Sequence, residues 1–349
     1  MEAYINGIGC VSPQNTLDNN CFLDEVVEHN SDFLQCVAPD YKQFLDPKLA
    51  RRMGRVIKMG VASAKIALRQ ANLENPDAII TGTGLGCIQD TEKFLTSVIE
   101  NDEKLLTPTS FIQSTHNTIG GQIALMLGCN HYNMAYVHSG SSFETAMIDA
   151  LMLLAENEAG NILLGGVDEI TQHRFEVIKR LDYLKDESIN NLDLLKSDSK
   201  GTIGGEGAVF FVLSKVRTEK SVGKIQAVST FYKPNDSNEV EKQISDFLGN
   251  KPVDLVVLGN SGDNRTDYFF NDLQKSIFAN IPQVGFKHLC GEYFSSSAFA
   301  LWLTTQILNK QTVPEITCLN DIAVSEIKNI LIYNHYRGVN HSLMLVSIC

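Results

Sequence analysis

Residues 136–170 read YVHSGSSFETAMIDALMLLAENEAGNILLGGVDEI. The first few residues are a short strand, and Ser139 stands at the bend that leads out of it. Phe143, Ala146, Met147, Ala150, Leu151 and Leu154 then recur at i, i+3, i+4, i+7, i+8 and i+11, one stripe of a helix. Gly160 and Asn161 are expected to end it, and ILLGGVDEI (162–170) is a continuous apolar run of strand length. A strand, a helix and a second strand covered on both faces form the repeating unit of parallel sheets. The fold class is α/β.

The same alternation extends outward in both directions. YINGIGCVSP (4–13) is a strand closed by Gly and Pro, 51–73 carries helical spacing, and AIITGTGLG (78–86) is a buried strand entering a glycine-rich turn. After KGTIGGEGAVFFVLS (200–214) the charged stretch 214–222 marks a boundary. The pattern then repeats in outline: strand 224–232, helix 238–249, strand 253–260, helix 265–279, strand 282–287, helix 296–308, and strands 329–334 and 342–348. Two similar halves, 1–216 and a shorter 222–349, are expected to form one compact body.

Composition excludes several function classes. With 349 residues, 44% apolar and 20% charged, the chain is globular and long enough for a large core. A net charge of -12 argues against nucleic acid, whose affinity comes from Lys and Arg on phosphates, and against an anionic membrane surface. The opening MEAYINGIGCVSP has no basic stretch before an apolar run, and no run of about 18 apolar residues occurs, so a cytoplasmic protein is expected. The eight cysteines (10, 21, 36, 87, 129, 290, 318, 349) form no Cys-x-x-Cys pair, so each is expected to be a reduced, small buried hydrophobe.

Three familiar motifs fail on inspection. GTGLGC (82–87) puts Cys87 where a dinucleotide loop needs its third glycine, and no G-x-x-x-x-G-K-[ST] loop occurs. The hydrolase elbow G-x-S-x-G fails at Val137 and Ser141. No cofactor and no metal are expected.

YINGIGCVSP, RRMGRVIKMGVASAKIAL, GTGLG, SFIQSTHNTIGGQIA, the helix after Ser139, LLGGVDE and above all GTIGGEGAVFFVLS resemble, in order, the landmarks of β-ketoacyl-acyl carrier protein synthases, the condensing enzymes. The resemblance covers nearly the whole chain. It implies a thiolase-like fold, two related halves in a five-layered αβαβα body, and a dimer. It also implies chemistry by a cysteine at a helix N-terminus, which takes an acyl chain from acyl carrier protein, and by two histidines that stabilise the enolate.

Each of those three positions differs here. Where the family has T-A-C-S-S-S this chain has VHSGSS (137–142), so Ser139 stands for the nucleophile, or Gly140 by a count back from LLGG. A serine needs an adjacent base, and a dyad with His138 is disfavoured because neighbours on an elbow diverge. The family's H-G-T-G-T corresponds to the stretch in VVLGNSGDNRTD (256–267), with Gly259 or Asn260 for the first histidine and Asp267 matching the acidic residue that follows. K-S-x-x-G-H corresponds to KHLCGE (287–292): Lys287 and Gly291 match, and Glu292 replaces the second histidine. An ionised Glu292 about 4 Å from an enolate oxygen would oppose it by roughly 4 kcal/mol at an effective dielectric near 20. Pairing with Lys287 is the expected alternative.

In HYRGVN (335–340), for G-F-G-G-T-N, Tyr336 stands for the gating phenylalanine and one arm of the oxyanion hole, and Gly338 and Asn340 are kept. Arg337 replaces a glycine, while His335 and His341 are new and expected to be surface or dimer contacts.

The pattern resembles a chain length factor, a non-catalytic subunit that pairs with an active β-ketoacyl synthase in type II fatty acid, polyketide or polyene assembly. By that resemblance SFIQSTHNTIGGQIALML (110–127) lies at the dimer face, with Ile112, His116 and Thr118 near the partner's tunnel. Acyl carrier protein, being acidic, is expected to dock through the more basic partner rather than on a chain of charge -12. Two other readings remain: an active synthase or acyltransferase that uses Ser139, and a homodimeric scaffold.

Overall fold

The structure is a computed structural model that describes residues 2–20 and 22–349. In chain order its regular elements begin with β1 (Ala3–Val11), α1 (Pro47–Ala50), α2 (Arg55–Ala71), β2 (Ala78–Gly82), α3 (Ile88–Glu100), α4 (Pro108–Gln113), α5 (Thr118–Leu127) and β3 (Tyr132–Tyr136). The first half ends with α6 (Ser142–Glu156), β4 (Asn161–Asp168), α7 (Gln172–Arg180) and β5 (Gly207–Ser214). Then follow β6 (Gly223–Tyr232), α8 (Ser237–Leu248), β7 (Leu255–Leu258), α9 (Tyr268–Lys275), β8 (Gln283–Gly285), α10 (Lys287–Cys290), α11 (Ser297–Lys310), β9 (Asn329–Tyr336) and β10 (Asn340–Ser347).

The strands run in the order β3-β2-β4-β5-β1-β6-β10-β9-β7-β8. Either side of the β1/β6 seam the order is the same, once each strand of the first half is matched with the strand five later. Directions match as well. In the first half β2 is parallel to β3 and β4, while β4/β5 and β1/β5 are antiparallel. In the second, β7 is parallel to β8 and β9, while β9/β10 and β6/β10 are antiparallel. The internal repeat read from the alternation is thus a repeat of topology.

Helices α6 and α11 touch strands of both half-sheets and form the middle layer, with α2 and α5 outside the first half and α8 and α9 outside the second. This is the thiolase-like five-layer arrangement. Twelve of the 14 residues of α11 are buried, which explains why SAFALWLTTQIL is apolar all round rather than striped. Gly7 and Gly9 of β1 lie under α2: a Cβ on them would stand 2.2 Å from Ala67 O and 1.9 Å from Ser63 O. The spacing N-G-I-G-C therefore lets a helix backbone rest directly on a strand.

Several boundaries differ from expectation. Helical spacing began at 51, yet α2 starts at Arg55, because Arg51 caps the separate turn α1 and Gly54 precedes the helix in an extended conformation. The helix expected to run to Gly160 stops at Glu156, where Asn157 takes a left-handed cap. The amphipathic α3 was not foreseen as a helix. Cys10, Cys36, Cys87, Cys129 and Cys290 are buried thiols as expected, whereas Cys318 is exposed and Cys349 half-buried; Cys21 lies outside the described residues.

Candidate active site and pairing face

β3 delivers the chain to a turn at Ser139–Ser141 from which α6 starts. Ser139 has φ +51°, a left-handed conformation that costs a non-glycine residue energy, and it stands at a strand-to-helix junction. The Ser142 hydroxyl fastens the turn, accepting from His138 N at 2.9 Å and donating to Ser139 O at 2.7 Å. Ser139 itself is exposed. No described group hydrogen-bonds its hydroxyl, and His138 reaches only toward Tyr136. Of the two alternatives left by the sequence, Ser139 takes the strained elbow, whereas a Cβ on Gly140 would stand 2.1 Å from the Tyr336 Cβ.

At the second position the alternatives are Gly259 and Asn260. A Cβ on Gly259 would stand 2.1 Å from Asn334 Oδ1, so the amide of Asn334, on β9, occupies the space a side chain at 259 would need. Asn260 is buried, and its Oδ1 has no hydrogen-bond partner. Asp267 ties the loop together by accepting from Ser261 N, Ser261 Oγ and Gly262 N. Burial raises its pKa, and those donors pull it back.

At the third position Lys287 Nζ, fully buried, donates to Glu292 Oε2 at 2.5 Å and to His335 O at 3.1 Å. Burial pushes the Glu292 carboxyl up, and Lys287 opposes the shift. A second carboxylate lies nearby: Glu144, in the first turn of α6, is wholly buried, with the Ser297 and Ser342 hydroxyls beside it. Burial raises its pKa also, with Lys287 among the groups acting against the rise. The sequence reading passed over Glu144 because an acid in the first turn of a helix is ordinarily a solvated one.

Tyr336 packs against Phe294 at a tilt, with ring centroids 4.7 Å apart. Arg337, at φ +57°, lays its guanidinium over the Tyr183 ring. These groups, with Leu85, Ile178 and Glu292, wall a narrow cavity of about 60 Å³. Arg174 rests on Phe294 across the same cavity. His335 and His341 were expected at the surface or at a contact between subunits; both are buried in the core instead, packed against Phe269. β-hairpin alternation turns them inward, opposite one another on β9 and β10.

β3 is the outer strand of its half-sheet, and it is not blunted: Tyr132 and Met134 are exposed along it and Val137 just past its end. Leu125 of α5 and Met152 of α6, and earlier in the chain Phe111 and Ile112 of α4, are exposed too. Ile112 and His116 are exposed, whereas Thr118 is buried and its hydroxyl bonds within its own chain to Ile112 O and Thr115. An unpaired strand edge rimmed by apolar side chains is a surface built to be covered.

Among the described residues no helix is long and apolar enough to cross a membrane, and no cluster of His, Cys, Asp and Glu suits a metal ion.

Residues 28–184 match the family model of the β-ketoacyl synthase N-terminal domain. The 3-oxoacyl-[acyl-carrier-protein] synthase 2 of Synechocystis sp. is 25% identical over 228 residues, 62% of this chain and 53% of that protein. Its counterpart from Vibrio cholerae is 24% identical over 194 residues, 53% of this chain and 47% of that protein. The matches thus span about half the length of these relatives. Among solved structures, the ishigamide ketosynthase/chain length factor superposes with a TM-score of 0.81 at 15% identity, over 100% of this chain and 99% of that one. A β-ketoacyl synthase from Burkholderia phymatum STM815 gives 0.81 at 14% identity with the same coverage. These likenesses show the fold. Together with the sequence matches they make the chain β-ketoacyl synthase-like.

Proposed function

We propose that this ketosynthase-like chain is a non-catalytic subunit of the chain length factor type, which pairs with an active β-ketoacyl synthase in type II fatty acid, polyketide or polyene assembly. One observation carries the reading. None of the groups at the three expected positions is set up as a reagent: the Ser139 hydroxyl has no hydrogen-bond partner among the described residues, Asn334 crowds Gly259 while Asn260 is buried beside it, and Glu292 is paired with Lys287. A hydroxyl at Ser139 without a base is a poor nucleophile. The exposed edge of β3 supplies the pairing surface.

The partner kind follows from the relatives: one superposable structure is a ketosynthase/chain length factor, and another is a type II ketosynthase in complex with its acyl carrier protein. Charge qualifies the expectation that carrier protein docks only on the partner. Arg51 and Arg52 are exposed just before α2, with Lys48 nearby, a small basic cluster on an acidic chain.

The test is activity with and without a partner. The isolated chain is expected neither to decarboxylate malonyl-carrier protein nor to condense it with acyl-carrier protein, and co-expression with an active ketosynthase should give a stable heterodimer. Turnover by the chain alone, abolished by Ser139→Ala, would overturn the reading.

The left-handed φ of Ser139 at a strand-to-helix junction favours a second reading, an acyltransferase or synthase that acts through this hydroxyl. Mass spectrometry after incubation with acyl thioesters separates the two: an acyl adduct on Ser139 supports the second.

A further inference from the structure

The turn that carries Arg337 and Gly338 rests on the His335 imidazole, with His341 beside it. Arg337 and Gly338 both have positive φ, and Val339 N donates to Tyr336 O at 3.1 Å, the pattern of a type I′ turn. His335 lies under this turn with its ring stacked on Phe270, centroids 4.3 Å apart. Its Nε2 is 3.2 Å from Thr266 O, and a carbonyl only accepts, so Nε2 carries the proton. That leaves Nδ1 as a lone pair, which accepts from Gly338 N at 3.1 Å. Both ring nitrogens are committed and the tautomer is fixed by its neighbours.

We infer that His335 is a positioning residue, a clasp whose Nδ1 holds the Arg337–Gly338 turn, keeps Tyr336 against Gly140 and Arg337 against Tyr183, and releases them when Nδ1 is protonated. A proton on Nδ1 would point at the Gly338 N–H, replacing an acceptor with a second donor. The inference goes beyond the non-catalytic reading and stands whether or not Ser139 reacts.

The titratable and charged groups around the ring bear on that release. β9 and β10 contribute Tyr333 and His341, α10 contributes Lys287 with Glu292 behind it, and the loop before α9 contributes Asp267 next to Thr266. Neither ring nitrogen meets a carboxylate. Burial, then His341 and Lys287, hold the imidazole well below the usual histidine range. The clasp is therefore closed at neutral pH and opens only under acid.

Hydrogen–deuterium exchange of the full chain tests this with three variants. Asparagine places an acceptor near the Nδ1 position, glutamine reaches only toward Thr266, and leucine keeps neither group. At neutral pH, backbone exchange over 336–340 should be roughly fivefold faster in His335→Leu and His335→Gln than in wild type, the worth of one hydrogen bond, and near wild type in His335→Asn. Corrected for the intrinsic pH dependence of exchange, acidification should speed this segment in the wild type and not in the variants. Equal protection in all four proteins would show that the hairpin alone fixes the turn. So would a pH profile shared by wild type and His335→Gln, and either result overturns the inference. Should His335→Leu fail to fold, the contrast between asparagine and glutamine decides in the same way.

Discussion

Lys287 Nζ stands 2.5 Å from Glu292 Oε2, and the lysine side chain has no exposed surface at all. Two ions withdrawn from water are each expensive, and the pair is tolerable only because each cancels the other's field. Lys287→Met should therefore destabilise the chain by about 3–5 kcal/mol, because it strands a buried carboxylate. The double replacement Lys287→Met, Glu292→Met should recover most of the loss. Guanidinium chloride unfolding measures both, and a double variant no more stable than the single one would show that the pair is not the stabilising unit.

Placing a histidine at Gly259, one of the two candidate places for the family's first histidine, should fail on steric grounds before chemistry is reached. With Asn334 Oδ1 only 2.1 Å from the Cβ that Gly259→His would add, the variant is expected to lose about 1–3 kcal/mol. Shortening the obstacle with Asn334→Ala should return much of it. Thermal unfolding of the two variants checks the pairing, and additive losses would mean that the two residues do not share the space.

The edge of β3 offers a way to separate pairing from folding. Met134 is exposed on that strand, so Met134→Lys should change stability by no more than about 0.5 kcal/mol. It should nevertheless abolish co-purification with an active ketosynthase, because a cation would be buried against the partner strand. Unchanged co-purification would move the interface elsewhere.

His341 provides a pH dependence with a definite sign. Burial holds its pKa down at about 4, with its Nδ1 3.0 Å from the Tyr333 hydroxyl. In the unfolded chain the imidazole titrates near 6.5, so between about 6.5 and 4 the unfolded state binds more protons. The contribution is thus complete above about 6.5 and is lost as pH falls toward 4, on the order of 3 kcal/mol in all. Buried carboxylates with raised pKa values, Glu292 and Glu144 among them, act in the opposite direction, so total stability alone does not isolate the effect. Comparison with His341→Phe does, since those groups are common to both proteins. The variant should gain on the wild type steadily from pH 7 to pH 4, and parallel curves would remove His341 as the cause.

Much of the fold was legible because its strands are short continuous apolar runs and its helices carry clean stripes. The two halves, read only from that alternation, appear in the structure as one strand order used twice. Helix ends were less legible, since Gly54 and Asn157 act through backbone conformation that spacing does not encode. At the site, the identities at 139, 259, 260, 287, 292 and 336 were plain in the sequence. What fills the emptied space was not: Asn334 and Gly259 are 75 residues apart, and nothing local in NILIYNHY announces that its asparagine faces the loop after β7. His335 and His341 were placed at the surface because polarity is a poor guide within a hairpin whose side chains all lie inside. Glu144 was not legible because an acid in the first turn of a helix is ordinarily solvated.

Strand β1 sits in the middle of the ten-stranded sheet, paired with Gly207–Ser214 on one side and with Gly223–Ile225 on the other. On the ribosome it is made roughly two hundred residues before either neighbour. Throughout that interval a nine-residue segment, AYINGIGCV, waits with both of its hydrogen-bonding flanks vacant. Yield in a cell should accordingly depend on chaperone supply and on elongation rate, and crowding by nascent copies should be most hazardous before residue 214 emerges.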